Sequence, residues 1–267
     1  MKNPPDNVSG KRHEWRAPTV DLWQVSRKLL AVADVQTGYH HDSISHALAT
    51  LSLLGRRTRQ FVTNIRTDSQ LLTLQPLLGV GPKYGGKPVN ARVLSEYDAV
   101  FLLPSGAGTL SAEQRADLFS YVHDKGRGLI LGHAGAMAFF EWPEFYDLIG
   151  GRMGGEFTCE ARIKVEDPAF PGADVFGGTS FSFYEQHPVF TAPYSRDKVN
   201  VVMSLDPESL SKKQRAMRPD DDFPVIWSRR FGTGRVFNIG WGHFEATWDD
   251  PRFQRLLLGG ILWAMGA

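Results

Sequence analysis

Cysteine is almost missing from this chain: of 267 residues only Cys159 carries a thiol. A single thiol excludes an intramolecular disulfide and a cysteine-rich zinc site, and it makes a cytoplasmic setting the expectation. One role stays open to it, that of nucleophile. An excess of one charge is missing too. The 30 basic side chains face 29 acidic ones, a net charge of +1. No global field therefore draws the protein to nucleic acid or to an anionic membrane, and neither is an expected partner. No stretch approaches the roughly 18 uninterrupted apolar residues of a spanning helix. The opening segment, MKNPPDNVSGKRHEWRAP, has no apolar centre and does not read as a secretory leader.

What is present is an ordinary globular composition, 42% hydrophobic and 22% charged. Residues 1–27 are polar and broken by Pro4, Pro5 and Pro18, which predicts an N-terminal arm before a single domain over residues 28–267. Residues 29–35 (LLAVADV) form a short apolar run of the kind covered on both faces of a sheet. Ser43 is placed to cap a helix whose apolar positions Ile44, Ala47, Leu48, Leu51 and Leu54 recur at helical spacing until Gly55. Residues 57–64 predict a second strand, and 65–96 an irregular excursion with room for a short helix. Residues 99–105 (AVFLLPS) and 128–133 (GLILGH) are further buried strands. Between them Ser111 and Gln114 form an S-x-x-Q capping box.

This strand–helix alternation implies parallel βαβ units. Beyond Gly151 the pattern changes to period two in EFTCEARIKVED, TSFSFYEQHPVF and KVNVVMSLD, as in half-exposed strands. A hairpin is expected around Gly232-Thr233-Gly234. The last helix starts with Asp249 or Asp250 as cap and Pro251 in its first turn. Its apolar face either packs inside or forms the seam of a homodimer. The expected architecture is one α/β domain, a mostly parallel sheet flanked by helices, with a β-rich insertion or edge in its second half.

In such sheets ligands bind beyond the carboxyl ends of the strands. Four of the eight histidines fall there: His40 and His41 after the first strand, His133 after the fourth, and His243 after the hairpin, with His187 a candidate fifth. Each alone reads equally well as a turn residue; their convergence is the signal. Glu185 is the nearest candidate carboxylate, and otherwise a surface residue of an exposed strand. Two chemistries fit. Neutral imidazoles hold a divalent ion such as zinc with a coordination position left open, although no HExxH spacing is present. Alternatively, histidine and glutamate act without metal as general acid and base on a polyol or ketose. A weaker option is an esterase built on Ser105, whose surroundings lack the G-x-S-x-G elbow.

The ordered set GYHHDSI (38–44), YDAVFLLPSGAGTLSAEQRADLFSYVHDKGRGLILGHAG (97–135), EWPEFYDLIGGRMGG (141–155) and residues 224–266 resembles the ThuA-like family, named for trehalose utilisation. The resemblance implies the class I glutamine amidotransferase-like fold with a flavodoxin-like core, and a carbohydrate-processing protein acting on a sugar or keto-sugar. It implies a pocket containing His40 or His41, His133, Glu185 and His243, of which His133, Glu185 and His243 are the candidate catalytic residues. Tyr39, His40, His41, Asp42, Trp241 and His187 would contact the carbohydrate, and His41, His133 and His243 would hold any metal. The alternative is a non-catalytic sugar-binding or scaffold protein that keeps the fold. Two departures stand out: Phe170-Pro171 where the family usually has His-Pro, and Tyr184-Glu185-Gln186-His187 where it usually reads Asp-Glu-x-Tyr. Where amidotransferases present their cysteine this chain has Gly132-His133-Ala134-Gly135, so glutaminase activity is not expected. Cys159, on a period-two strand, is expected to be a partly buried small apolar residue.

Overall fold

Nine strands form one sheet in the computed structural model, which describes residues 27–89 and 91–267. The expected arm lies outside the described residues apart from Arg27, which begins the first strand. The strands are β1 (Arg27–Val32), β2 (Phe61–Arg66), β3 (Ala99–Leu102), β4 (Gly128–Gly132), β5 (Arg152–Val165), β6 (Ser180–Thr191), β7 (Asn200–Leu205), β8 (Pro224–Phe231) and β9 (Gly234–Ile239). Their order across the sheet is β2-β1-β3-β4-β9-β8-β7-β5-β6. β3 and β4 are buried at every position, as continuous apolar runs in the middle of a covered sheet should be.

The expectation of a mostly parallel sheet needs correction. Four neighbouring pairs are parallel, joining β2, β1, β3, β4 and β9, and four are antiparallel, joining β9, β8, β7, β5 and β6. The reason is local. The tight turn at Gly232-Thr233 can only return β9 antiparallel to β8, and β5 and β6 pair over most of their length as a long antiparallel ribbon. The β-rich half is thus a continuation of one mixed sheet.

Helices α1 (Ser43–Thr58), α2 (Ala112–His123), α3 (Pro143–Ile149), α4 (Glu245–Asp249) and α5 (Pro251–Ala264) cover the faces. Alternation along the strands splits the core in two. Leu29, Ala31, Phe101, Ile130 and Phe237 pack with α1 and α5; Leu30, Val32, Val100, Leu129, Leu131 and Val236 pack with α2 and α3. The capping box of α2 forms as read, with Ser111 and Gln114 each accepting from the other's backbone N–H. α5 begins with Asp250 accepting from the Arg252 N–H and Pro251 in the first turn. Its face of Phe253, Leu256, Leu257 and Ile261 is buried in the core, so it packs inside. Gly260 lets it sit flush on the sheet: a Cβ there would lie 1.9 Å from the Phe237 ring.

α1 runs three residues past its expected stop. Gly55 is needed for contact, since a Cβ would meet the Phe61 carbonyl at 2.5 Å, and Arg59 takes the left-handed turn instead, at φ 56°. Among the described residues, the irregular stretch between β2 and β3 contains, as helix, only the single turn Leu94–Glu96. No helix among the described residues is long and apolar enough to cross a membrane.

Candidate functional site

The loops following β1, β3, β4 and β9 leave the sheet at one edge and are tied to one another. Thr37 bridges to Gly106, and Gly106 needs its φ of 80° and its missing side chain because a Cβ would lie 2.2 Å from the Thr37 carbonyl. The Ser105 hydroxyl donates to the Tyr39 carbonyl at 2.5 Å, and the Gly108 N–H donates to the Thr37 hydroxyl at 2.7 Å. Ser105 is therefore a strut between two loops. Beneath them Asp34 accepts from the hydroxyls of Ser69 and Thr109.

Three imidazoles converge on this frame. His41 comes from the loop after β1, His133 from the residue after β4, and His243 from the loop after β9. One potential ligand atom from each lies within 4.8 Å of those of the other two. The rings meet edge to face with centroids 4.8 to 5.3 Å apart. His133 sits where the strand turns into a helical turn (His133–Met137), with φ at 42°, a conformation few side chains adopt. Its neighbours make room: a Cβ on Gly132 would meet Phe101 at 2.7 Å, and one on Gly135 the Leu102 carbonyl at 2.7 Å. The Nδ1 of His133 lies 3.3 Å from the Gly240 carbonyl, which places the ring proton there and turns Nε2, a lone pair, toward His243 Nδ1 at 3.2 Å.

Burial, reinforced by His41, pushes the His133 imidazolium pKa down to about 3. Burial, with His243 and His40 adding to it, pushes His41 down to about 4. Both rings are neutral at physiological pH, as metal ligands must be. Two nitrogens at ~2.0–2.1 Å from one tetrahedral zinc are ~3.3–3.4 Å apart, close to the His133–His243 spacing. The backbone carbonyl behind His133 is the usual outer partner that fixes such a ligand's tautomer. The donor set fits a divalent ion of the zinc type.

The other sequence candidates are distributed differently. Glu185 is fully buried, and its carboxylate accepts from the backbone N–H of Gly242 at 3.1 Å, of Gln186 at 2.8 Å and of His243, and from the Thr247 hydroxyl. It grips the loop carrying His243 from behind and makes no hydrogen bond to the three imidazoles. Burial raises its pKa, against the opposing pull of these donors. The same loop is held from its other side, where the Gly242 carbonyl accepts from Ser43 at 2.8 Å and Trp248 at 2.9 Å. Ser43 is thus not the cap of α1; Asp42 takes that position without a side-chain bond.

Trp241 and His187 are core residues. The indole N–H of Trp241 donates to His187 Nδ1 at 3.3 Å, and His187 Nε2 donates to the Cys159 carbonyl at 3.1 Å. Burial pushes His187 down to about 4. His40 and Asp42 are exposed, while Tyr39 stands at the mouth of the site with its ring edge against His41.

Over the imidazoles opens a cavity of about 470 Å³ lined by Tyr39, His41, His243, Met137, Phe140, Glu156 and Gln186, among others. The last four of these are not among the sequence candidates. Gln186 lies between Glu185 and His187 on β6, and strand alternation puts it on the opposite face from both. Its signal was present in the sequence as period two, but nothing there says which face meets the histidines.

A sequence profile of the ThuA family, described as trehalose utilisation, matches residues 29–264. The chain belongs to the ThuA family. A ThuA-like protein from Bacteroides uniformis superposes with a TM-score of 0.65 at 17% identity, covering 89% of this chain and 91% of the other. One from Parabacteroides merdae gives 0.63 at 17% identity, covering 90% of each. A β-galactosidase from Bacillus circulans gives 0.54 at 11% identity, with 90% of this chain matching 31% of that larger one. At these identities the likeness is one of fold. No curated protein matches the sequence. ThuA membership ties the chain to trehalose utilisation in the family's general sense and leaves its chemistry to the site.

Proposed function

We propose that this ThuA protein is a carbohydrate-processing enzyme acting on a sugar or keto-sugar, with a divalent metal held by His41, His133 and His243. The observation that carries the reading is the convergence of three imidazoles at a cavity lined by His41 and His243, the third, His133, buried beside them on a strained backbone and anchored by a carbonyl. When bound, such an ion supplies Lewis-acid polarisation of a carbonyl or hydroxyl oxygen. His133 supplies the fixed ligand, His243 the ligand on the loop that Glu185 positions, and His41 the ligand nearest the mouth. The sugar class follows from the family's description as trehalose utilisation. A small-molecule carbohydrate as partner and a cytoplasmic setting belong to the same reading. The order β2-β1-β3-β4-β9 supports a flavodoxin-like description of the parallel half.

Metal-free acid–base catalysis is the weaker alternative. Rings that hold a proton only below about pH 4 are poor carriers of one at neutral pH, and Glu185 is engaged elsewhere. Glutaminase activity is not part of the proposal, since His133 occupies the elbow and burial pushes the Cys159 thiol up, away from the reactive thiolate.

Elemental analysis and turnover of trehalose and its keto derivatives test the reading together. A stoichiometric divalent ion is expected, with turnover lost on chelation and restored by zinc. His133→Asn, whose new side chain tolerates the left-handed backbone, and His243→Ala should lose both metal and turnover while keeping the native circular dichroism spectrum. Turnover that survives chelation and both substitutions overturns the proposal. Stoichiometric metal without turnover would leave a non-catalytic sugar-binding protein.

A further inference from the structure

The two walls of the cavity differ in chemistry. At the mouth Tyr39, Phe140 and Met137 leave 68%, 48% and 41% of their surfaces in solvent, although they are large and mostly apolar. Grouped exposure of this kind marks a surface awaiting an apolar face. The opposing wall is built from β5 and β6. Gln186 pairs in register with Thr158, two residues from Glu156, so Gln186 and Glu156 lie diagonally on one sheet face. The Gln186 Oε1 is buried and has no hydrogen-bond partner among the described residues. A buried acceptor left unpaired is costly unless a ligand donates to it. Together the amide oxygen and the carboxylate offer acceptors, which hydroxyl groups satisfy. Among the described residues no Lys or Arg lines the cavity, and Glu156 contributes the only carboxylate.

We propose that this cavity selects a neutral, unphosphorylated sugar ring, its C–H face against Tyr39 and Phe140 and its hydroxyls donating to Gln186 and Glu156. A phosphate or carboxylate on the sugar would enter a wall that, among the described residues, has no cationic side chain, and would face the Glu156 carboxylate, so the charged forms are discriminated against. The reaction that supplies the substrate must therefore leave the sugar uncharged, and any phosphorylation of it comes later. This deepens the carbohydrate reading above and depends on it for the site, but not for the metal.

Calorimetric titration of the full chain, zinc-loaded and chelator-treated, with trehalose, maltose, glucose and glucose 6-phosphate tests it. At least one neutral sugar should bind, and glucose 6-phosphate should bind at least about tenfold more weakly than glucose. Gln186→Leu should weaken neutral-sugar binding about tenfold. Phe140→Ala should weaken it as well, and Glu156→Gln should narrow the gap between glucose and its phosphate. Thermal melts of each variant identify any that fail to fold. A wild-type chain that binds no neutral sugar, binds the phosphate as tightly as glucose, or is indifferent to Gln186→Leu and Phe140→Ala overturns the inference. Metal content and turnover measured on the same samples separate the two proposals. Metal and turnover without this binding pattern overturn the inference alone; the pattern without metal overturns the metal reading alone.

Discussion

Replacing Glu185 by alanine tests whether the candidate site depends on a residue that never enters it. The carboxylate is the partner of the Gly242 and His243 backbone N–H groups in the loop that delivers His243, of the Thr247 hydroxyl on α4 just beyond it, and of the Gln186 N–H on β6. In Glu185→Ala these four donors lose their acceptor. Each buried donor left unsatisfied costs about 1–3 kcal/mol; with partial relief from water entering the vacated space, the expected loss is about 3–5 kcal/mol. For a domain of this size that lowers the thermal midpoint by roughly 6–20 °C. If the loop relaxes as argued, metal affinity also falls by about 10–100-fold, the usual penalty for losing a partner behind a ligand. Urea unfolding followed by tryptophan fluorescence reads the first quantity, and competition with a chromogenic chelator the second. Thr247→Val removes one donor together with its need for an acceptor, so it should cost much less. A Glu185→Ala protein within about 1 kcal/mol of wild type, with unchanged zinc affinity, refutes the assignment of Glu185 as the positioning residue of this loop.

The buried ring of His187 makes the fold sensitive to acid. Burial lowers its pKa from 6.5 to about 4, so above pH 6.5 it is neutral in both folded and unfolded chains. As the pH falls from 6.5 toward 4 only the unfolded chain takes up the proton, and about 3 kcal/mol of stability is lost across that window. In His187→Gln the slope of unfolding free energy against pH there should be shallower by one proton, about 1.4 kcal/mol per pH unit; an unchanged slope counts against the neutral buried ring. Gly260→Ala would press a methyl group to within 1.9 Å of Phe237 and is expected to cost about 1–3 kcal/mol by denaturant titration, with no loss if α5 is less tightly seated than described.

Much of this architecture was legible because its signals are local. The apolar runs of β3 and β4, the Ser111–Gln114 box, the hairpin turn and Pro251 after its capping aspartate all act within a few residues, and each element formed where its signal stood. Two kinds of feature were not legible. Strand partners were one: period two says that a strand is half exposed, but not whether its neighbour runs parallel, so beyond the β8–β9 hairpin the antiparallel pairing of β5, β6 and β7 had no local signal. The facing of side chains was the other. Glu185 and His187 share one face of β6 and Gln186 takes the other, and only the placement of β9 and its loop decides which of them meets the histidines. Gly55 and Ser43 carry a similar lesson, for their residue types suggest a helix end and a helix cap, while contacts with Phe61 and Gly242 use them otherwise.

The three imidazoles are also far apart along the chain. His133 and His243 meet across 110 residues, and the bond from Ser43 to Gly242 that braces the same loop spans 199. Contacts this distant form late, because the entropy of closing such long loops must be met before they return any stabilisation. No fragment containing only the first strands, and no collapsed intermediate in which β9 has yet to reach β4, brings the imidazoles together. On the proposed metal reading, uptake would thereby be confined to chains that have completed the topology. A pulse of zinc during refolding would report when the last strand of the parallel half is inserted.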